Sequence, residues 1–136
     1  MVKIIGTYEG ELHCEVLHTP SKTIIETDAP IDNKGRGEKF SPTDLVAAAL
    51  GSCILTTMAI AAEKHQLSLK GTKIEVIKEM IVVPVRKIKS LTSIVTMPKN
   101  IPEEFRERLE RAAHTCPVHK SLDAEVERPI KFEYLT

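Results

Sequence analysis

Residues 41–64, SPTDLVAAALGSCILTTMAIAAEK, decide how this chain folds. Ser41 is suited to cap a helix, Pro42 to occupy its first position, and Asp44 to complete a capping box three residues after the cap. From Leu45 to Ala62 there is no charged residue and no polar stripe. Such a run predicts a helix from Pro42 to about Lys64 that is buried on all sides, the pattern of a core helix rather than a surface one. It is also just long enough to span a bilayer. Its alanines, with Gly51, Ser52, Thr56 and Thr57, make transfer into lipid only modestly favourable. Both flanks read as amphipathic structure, so the expectation is a buried helix and no membrane partner.

Working outward, Val2 to Asp28 reads as a three-stranded meander. VKIIGTYEG and ELHCEVLHT are joined at Glu9-Gly10-Glu11, and Thr19-Pro20-Ser21 turns the chain into KTIIETD. Cys14 alternates with Leu12 and Val16 and reads as a small core filler. Residues 29–40, APIDNKGRGEKF, form a charged loop punctuated by Asn33, Gly35 and Gly37. Beyond the helix, Thr72 to Val83 alternates as a strand, Pro84 interrupts, and VRKIKSLTSIVTM reads as a second strand. Ile101 to Thr115 reads as a one-sided helix with Phe105, Leu109, Ala112 and Ala113 on its apolar face. Cys116-Pro117 breaks it, Val118 to Leu122 suits one further helical turn, and VERPIKFEYL closes the chain as a strand. The order βββ-α-ββ-α-β, with strands grouped apart from helices, predicts an α+β fold over residues 1–136 as a single domain.

The chain has 136 residues, with 19 basic and 19 acidic side chains. That balance excludes the electrostatic footprint of a nucleic-acid-binding protein. Three cysteines, and no secretory leader pattern, argue against a disulfide scaffold and for a reducing, cytoplasmic setting. A helix apolar on every face is more than one small sheet can cover, so a homodimer is expected.

Cys53 lies in the middle of the apolar helix, and Cys116 opens CPVHKSL. A lone thiol in a core is ordinarily inert. Cys116 sits where a new helix can start, a location that favours a thiolate, and His114 and His119 flank it. The spacing H-x-C-x-x-H matches no usual zinc pattern, so no metal is expected. Cys53, mid-helix, needs a cation for reactivity. Arg36 is the best candidate in the loop, with Glu38 or Asp44 to orient it. P-loop, dinucleotide and serine-hydrolase signatures are absent. A two-thiol redox site, a binding module for an apolar small molecule, and a general thiol or disulfide-handling protein all remain open on these residues alone.

FSPTDLVAAALGSC followed by CPVHKSL resembles the family of osmotically inducible protein C and organic hydroperoxide resistance protein (OsmC/Ohr), and the element order matches over essentially the whole chain. The resemblance implies an OsmC-like fold as an intertwined homodimer with buried central helices and two thiol sites at the subunit interface. It implies a thiol peroxidase of the oxidative stress response, with Cys53 as peroxidatic and Cys116 as resolving residue. The substrate would be an organic hydroperoxide and the reductant a lipoyl-type dithiol or another thiol, with no bound cofactor. Where better-studied members carry Glu in N-P-E, this chain has Thr43 followed by Asp44. It looks more like the branch with S-P-T-[DE]-L and C-P-V-x-[KR]-S-L. The active-site arginine of the family is carried over to Arg36.

Overall fold

A computed structural model describes residues 1–135. They divide into two compact units, the first Met1–Val46 and the second from Ala47 onward.

The first unit is built on an antiparallel meander of β1 (Ile4–Gly10), β2 (His13–His18) and β3 (Thr23–Asp28). The turn between β1 and β2 is longer than expected. Gly10, Glu11 and Leu12 all take positive φ (88°, 53° and 60°), so β2 starts at His13 and not at Glu11. Two non-glycine residues are held in the left-handed region there, and the Leu12 carbonyl is fixed by the Ala29 N–H at 3.0 Å. The loop after β3 contains one 3-10 turn, Ile31–Asn33, closed by Lys34 at φ 67°. Gly35 is required where it stands, because a Cβ there would lie 1.7 Å from the Ala29 carbonyl oxygen. The meander leaves Ile4, Ile5, Tyr8, Ile24 and Ile25 exposed.

The predicted cap at residue 41 is present. Ser41 Oγ accepts from the Asp44 N–H at 3.1 Å, and Asp44 Oδ2 accepts from the Ser41 N–H at 2.9 Å. It opens α1 (Pro42–Glu63). By length and composition α1 could cross a membrane. Its buried residues form a stripe: Ala47, Leu50, Gly51, Ile54, Met58 and Ala62. The uniformly apolar composition had implied burial on every face, yet within one chain Ala49, Ser52, Thr56 and Ile60 face outward.

In the second unit, β5 (Lys87–Met97) is the middle strand. β4 (Lys73–Ile81) pairs with it antiparallel, and β6 (Ile130–Tyr134) pairs with it parallel. The parallel pairing follows from the helices between β5 and β6, which return the chain to the same end of the sheet. β4 alternates as its sequence implies, with Ile74, Val76 and Met80 half-buried and Lys73, Glu75 and Ile77 exposed. It stops two residues short of the expected Val83. On β5, Leu91, Ser93, Val95 and Met97 are fully buried. α2 (Glu103–Ala113) buries Leu109 and Ala113, and α3 (Pro117–Ser121) is the single extra turn.

α1 meets the sheet at Gly51. A Cβ on this residue would lie 3.0 Å from Val76 Cγ2 and 3.3 Å from Ile74 Cγ2, so the missing side chain is what lets helix and strand approach. Gly51→Val should cost about 1–3 kcal/mol through overpacking, whereas the exposed Lys64→Ala should stay within about 0.5 kcal/mol. Urea unfolding of the two variants checks this; a neutral Gly51→Val would mean that α1 does not pack here.

Candidate active site at the thiol pair

The start of α3 organises the thiols. Cys116 is the N-cap residue, with extended backbone at φ −60° and ψ 135°. Pro117, at the first helical position, has no N–H to offer. The first free donors of the helix are therefore the N–H groups of Val118 and His119. His119 N–H donates to Cys116 Sγ at 3.2 Å, and the Val118 N–H favours the anion of both sulfurs. Cys53, half-buried on α1, and Cys116, fully buried, are near enough for each thiol to affect the ionisation of the other. All three cysteines are free thiols. The fold thus brings together two residues 63 positions apart in the chain (116 − 53).

The two sulfurs are not equivalent. Burial pushes the Cys53 thiol up, but the Val118 N–H, the Cys116 thiol and the Thr57 hydroxyl all favour its anion and bring it below an ordinary thiol. Burial also pushes the Cys116 thiol up; the His119 N–H opposes this, while the hydrogen bond to Cys53 and the charge on Cys53 keep the Cys116 proton in place. Of the two sulfurs, Cys53 is therefore the one that ionises more readily. Such a pair can perform nucleophilic attack by one sulfur followed by condensation with the other.

The histidines beside Cys116 lie against each other. His119 is lowered by burial and by the Arg128 cation, against a hydrogen bond to the Arg128 main chain. Its ring stands edge-on to that of His114, with centroids 5.8 Å apart. Among the described residues no group of three or more His, Cys, Asp or Glu could hold a metal ion.

The other sequence-derived candidates lie in the first unit and at the helix start. Arg36 Nη1 donates to Glu11 Oε2 at 3.0 Å, and Arg36 Nη2 lies 3.8 Å from Asp28 Oδ1. Glu38 contributes its main chain, its N–H donating to Asp28 Oδ2 at 3.1 Å. Asp44 serves in the helix cap. The centre of this cluster is Asp28, a carboxylate 1% exposed that the sequence reading passed over. His13 Nδ1 bonds Asp28 Oδ1 at 2.6 Å, and His13 Nε2 meets Glu26 Oε1 at 3.2 Å. Thr57 was missed as well, although its place four residues after Cys53 puts it on the same helix face.

Comparison with known proteins follows the same lines. The OsmC-like protein family model matches residues 35–131, more than half of the chain. An osmotic stress induced and detoxification response protein, as it is named, from Psychrobacter arcticus is 35% identical. Its structure superposes with a TM-score of 0.91 over 98% of this chain and 96% of that one. The organic hydroperoxide resistance protein OsmC of Legionella pneumophila is 17% identical, with a TM-score of 0.79 over 98% and 96% of the two chains. The organic hydroperoxide resistance protein OhrB of Bacillus subtilis is 18% identical, with a TM-score of 0.71 over 98% of each. The chain matches none of the curated proteins. With its α+β architecture and its order of elements, this chain belongs to the OsmC-like family.

The Asp28 cluster has a pH signature. The hydrogen bond to Asp28 raises His13 above its ordinary 6.5 against the opposing effect of burial, helped by the charges of Asp28 and Glu26 and opposed by Arg36. The hydrogen bond from His13 lowers Asp28 below 3.8, again against burial, with further help from the His13 and Arg36 charges and the Glu38 N–H. The Asp28 contribution to stability is present above 3.8 and lost as pH falls through its depressed folded value. The His13 contribution is complete below 6.5 and lost as pH rises through its raised folded value. Urea midpoints at pH 5.5, 7.0 and 8.5 should therefore fall more steeply for the native chain than for His13→Gln. Parallel curves would show that the pair does not couple to folding.

Proposed function

We propose that this protein is a thiol peroxidase that reduces organic hydroperoxides through Cys53 and Cys116. The observation that carries the reading is the juxtaposition of the two thiols, Cys53 beside the Thr57 hydroxyl on α1 and Cys116 at the cap of α3, with ionisation favoured at Cys53. Family membership and the names of its structural relatives from Legionella and Bacillus point to the same substrate class.

In this mechanism the Cys53 thiolate attacks the distal oxygen of ROOH. The O–O bond breaks, the sulfur gains an oxygen as sulfenic acid, and the departing alkoxide takes up a proton to become ROH. Cys116 sulfur then displaces hydroxide from the sulfenic acid, and its proton leaves with that hydroxide as water, forming the 53–116 disulfide. An external dithiol, of lipoyl type or another thiol, reduces the disulfide by exchange and is itself oxidised. Arg36, oriented by Glu11 and Asp28, is assigned the cation that holds the peroxide and reinforces the thiolate. The setting is a reducing compartment such as the cytoplasm.

The working unit is a homodimer. Within one chain the outward stripe of α1, including Ile60, and aliphatic residues of the meander, including Ile4, Ile5 and Ile24, stay in contact with water. A second copy removes this area from solvent at roughly 25 cal/mol per Å2. Sedimentation should give twice 15.1 kDa at micromolar concentration, and a stable monomer would contradict it.

One equivalent of cumene hydroperoxide should remove two thiols per chain and yield a Cys53–Cys116 cross-linked peptide on mass spectrometry. Unchanged thiols would refute the enzyme, and a link through Cys14 would refute the pair. Arg36→Ala should slow peroxide consumption on the order of tenfold, as loss of one hydrogen bond to an ion does.

A further inference from the structure

α1 carries two adjacent threonines below Cys53, and they behave differently. A threonine inside a helix ordinarily returns its hydroxyl to the carbonyl one turn earlier. Thr56 does so, donating to the Ser52 carbonyl at 2.8 Å. Thr57 instead has its Oγ1 3.9 Å from Cys53 Sγ, in a part-buried position. That separation is loose for two neutral groups. An ionised sulfur draws a donor closer, because hydrogen bonds to an ion are shorter and stronger than neutral ones.

We infer that Thr57 is a further catalytic residue of the thiol pair, its hydroxyl donating to the Cys53 sulfur and holding the thiolate from the helix side. The inference rests on the reading of Cys53 as the nucleophile. It adds a donor that neither the motif SPTDLVAAALGSC nor CPVHKSL contains. Thr57 lies on α1 itself, one turn from Cys53, whereas the other groups that favour the Cys53 anion, the Val118 N–H and the Cys116 thiol, belong to the start of α3. The main-chain donor cannot be removed by a side-chain change, and Cys116 is required for the disulfide. Thr57 is therefore the one member whose contribution to the thiolate can be isolated. It takes no part in oxygen transfer and is unchanged over the cycle.

The test is titration of thiolate absorbance at 240 nm against pH, in chains carrying Cys14→Ser so that only the pair reports. Because two coupled sulfurs titrate together, the quantity read is the lower of the two inflections. Thr57→Val keeps the shape of the side chain and loses the hydroxyl; Thr57→Ser keeps the hydroxyl. Thr57→Val should raise the lower inflection by about half a unit to one unit, a roughly 3- to 10-fold loss of thiolate at neutral pH, and Thr57→Ser should leave it in place. An unchanged inflection in Thr57→Val would overturn the inference, as would an equal shift in both variants, since packing alone would then explain it. The titration uses no peroxide. If Thr57→Val shifts but no peroxide is consumed by the native chain, the peroxidase reading fails while Thr57 stands; if peroxide is consumed and the inflection does not move, the reverse holds.

Discussion

The meeting of the Cys53 and Cys116 thiols joins the middle of α1 to the first turn of α3, and it gives two chemically identical groups opposite tendencies to ionise. The asymmetry has a simple origin. Pro117 removes one N–H from the start of α3; the next, of Val118, favours the anion of both sulfurs, and that of His119 donates to Cys116. Cys53 has the Thr57 hydroxyl beside it as well and is eased toward its anion by Cys116, whereas Cys53 pushes Cys116 the other way. Neither sulfur needs an unusual environment of its own, because the difference arises from which of them accepts.

The rest of the second unit serves to hold that pair. α1 can lie close to β4 because Gly51 presents no side chain to Ile74 and Val76. The β5–β6 parallel pairing requires the intervening segment to return across the sheet, and α2, Cys116 and α3 all lie on that return path. In the first unit the organising group is Asp28, a buried carboxylate satisfied by His13 and the Glu38 N–H and neighboured by Arg36. A buried carboxylate without these partners would be costly, so strands β2 and β3 and the 29–40 loop are held together through one side chain.

Much of this was legible in the residues. The S-P-T-D cap and the charge-free run placed α1 to within a residue, and the Cys116-Pro117 step announced the break before α3. The alternation of Ile74, Val76 and Met80 oriented β4 correctly. Other features depend on tertiary structure and leave no local pattern. Left-handed Glu11 and Leu12 are ordinary residues by composition, so the length of the first turn could not be read. Asp28 closes a strand and looks like one more turn residue; only its burial distinguishes it. Arg36 was selected for its charge, and its acid partners proved to be Glu11 and Asp28, one from the β1–β2 turn and one from the end of β3. The apolar composition of α1 signalled burial but not what provides it, since one chain covers a single stripe.

The central claim is that Cys53 is the sulfur that meets peroxide and Cys116 the one that follows. Trapping of sulfenic acid with dimedone tests it most directly, after one equivalent of cumene hydroperoxide, in Cys116→Ser and Cys53→Ser chains that both carry Cys14→Ser. The account expects an adduct on Cys53 in the first and none on Cys116 in the second. Labelling of Cys116 in the second at a rate matching Cys53 in the first, or no adduct on Cys53 at all, would contradict it.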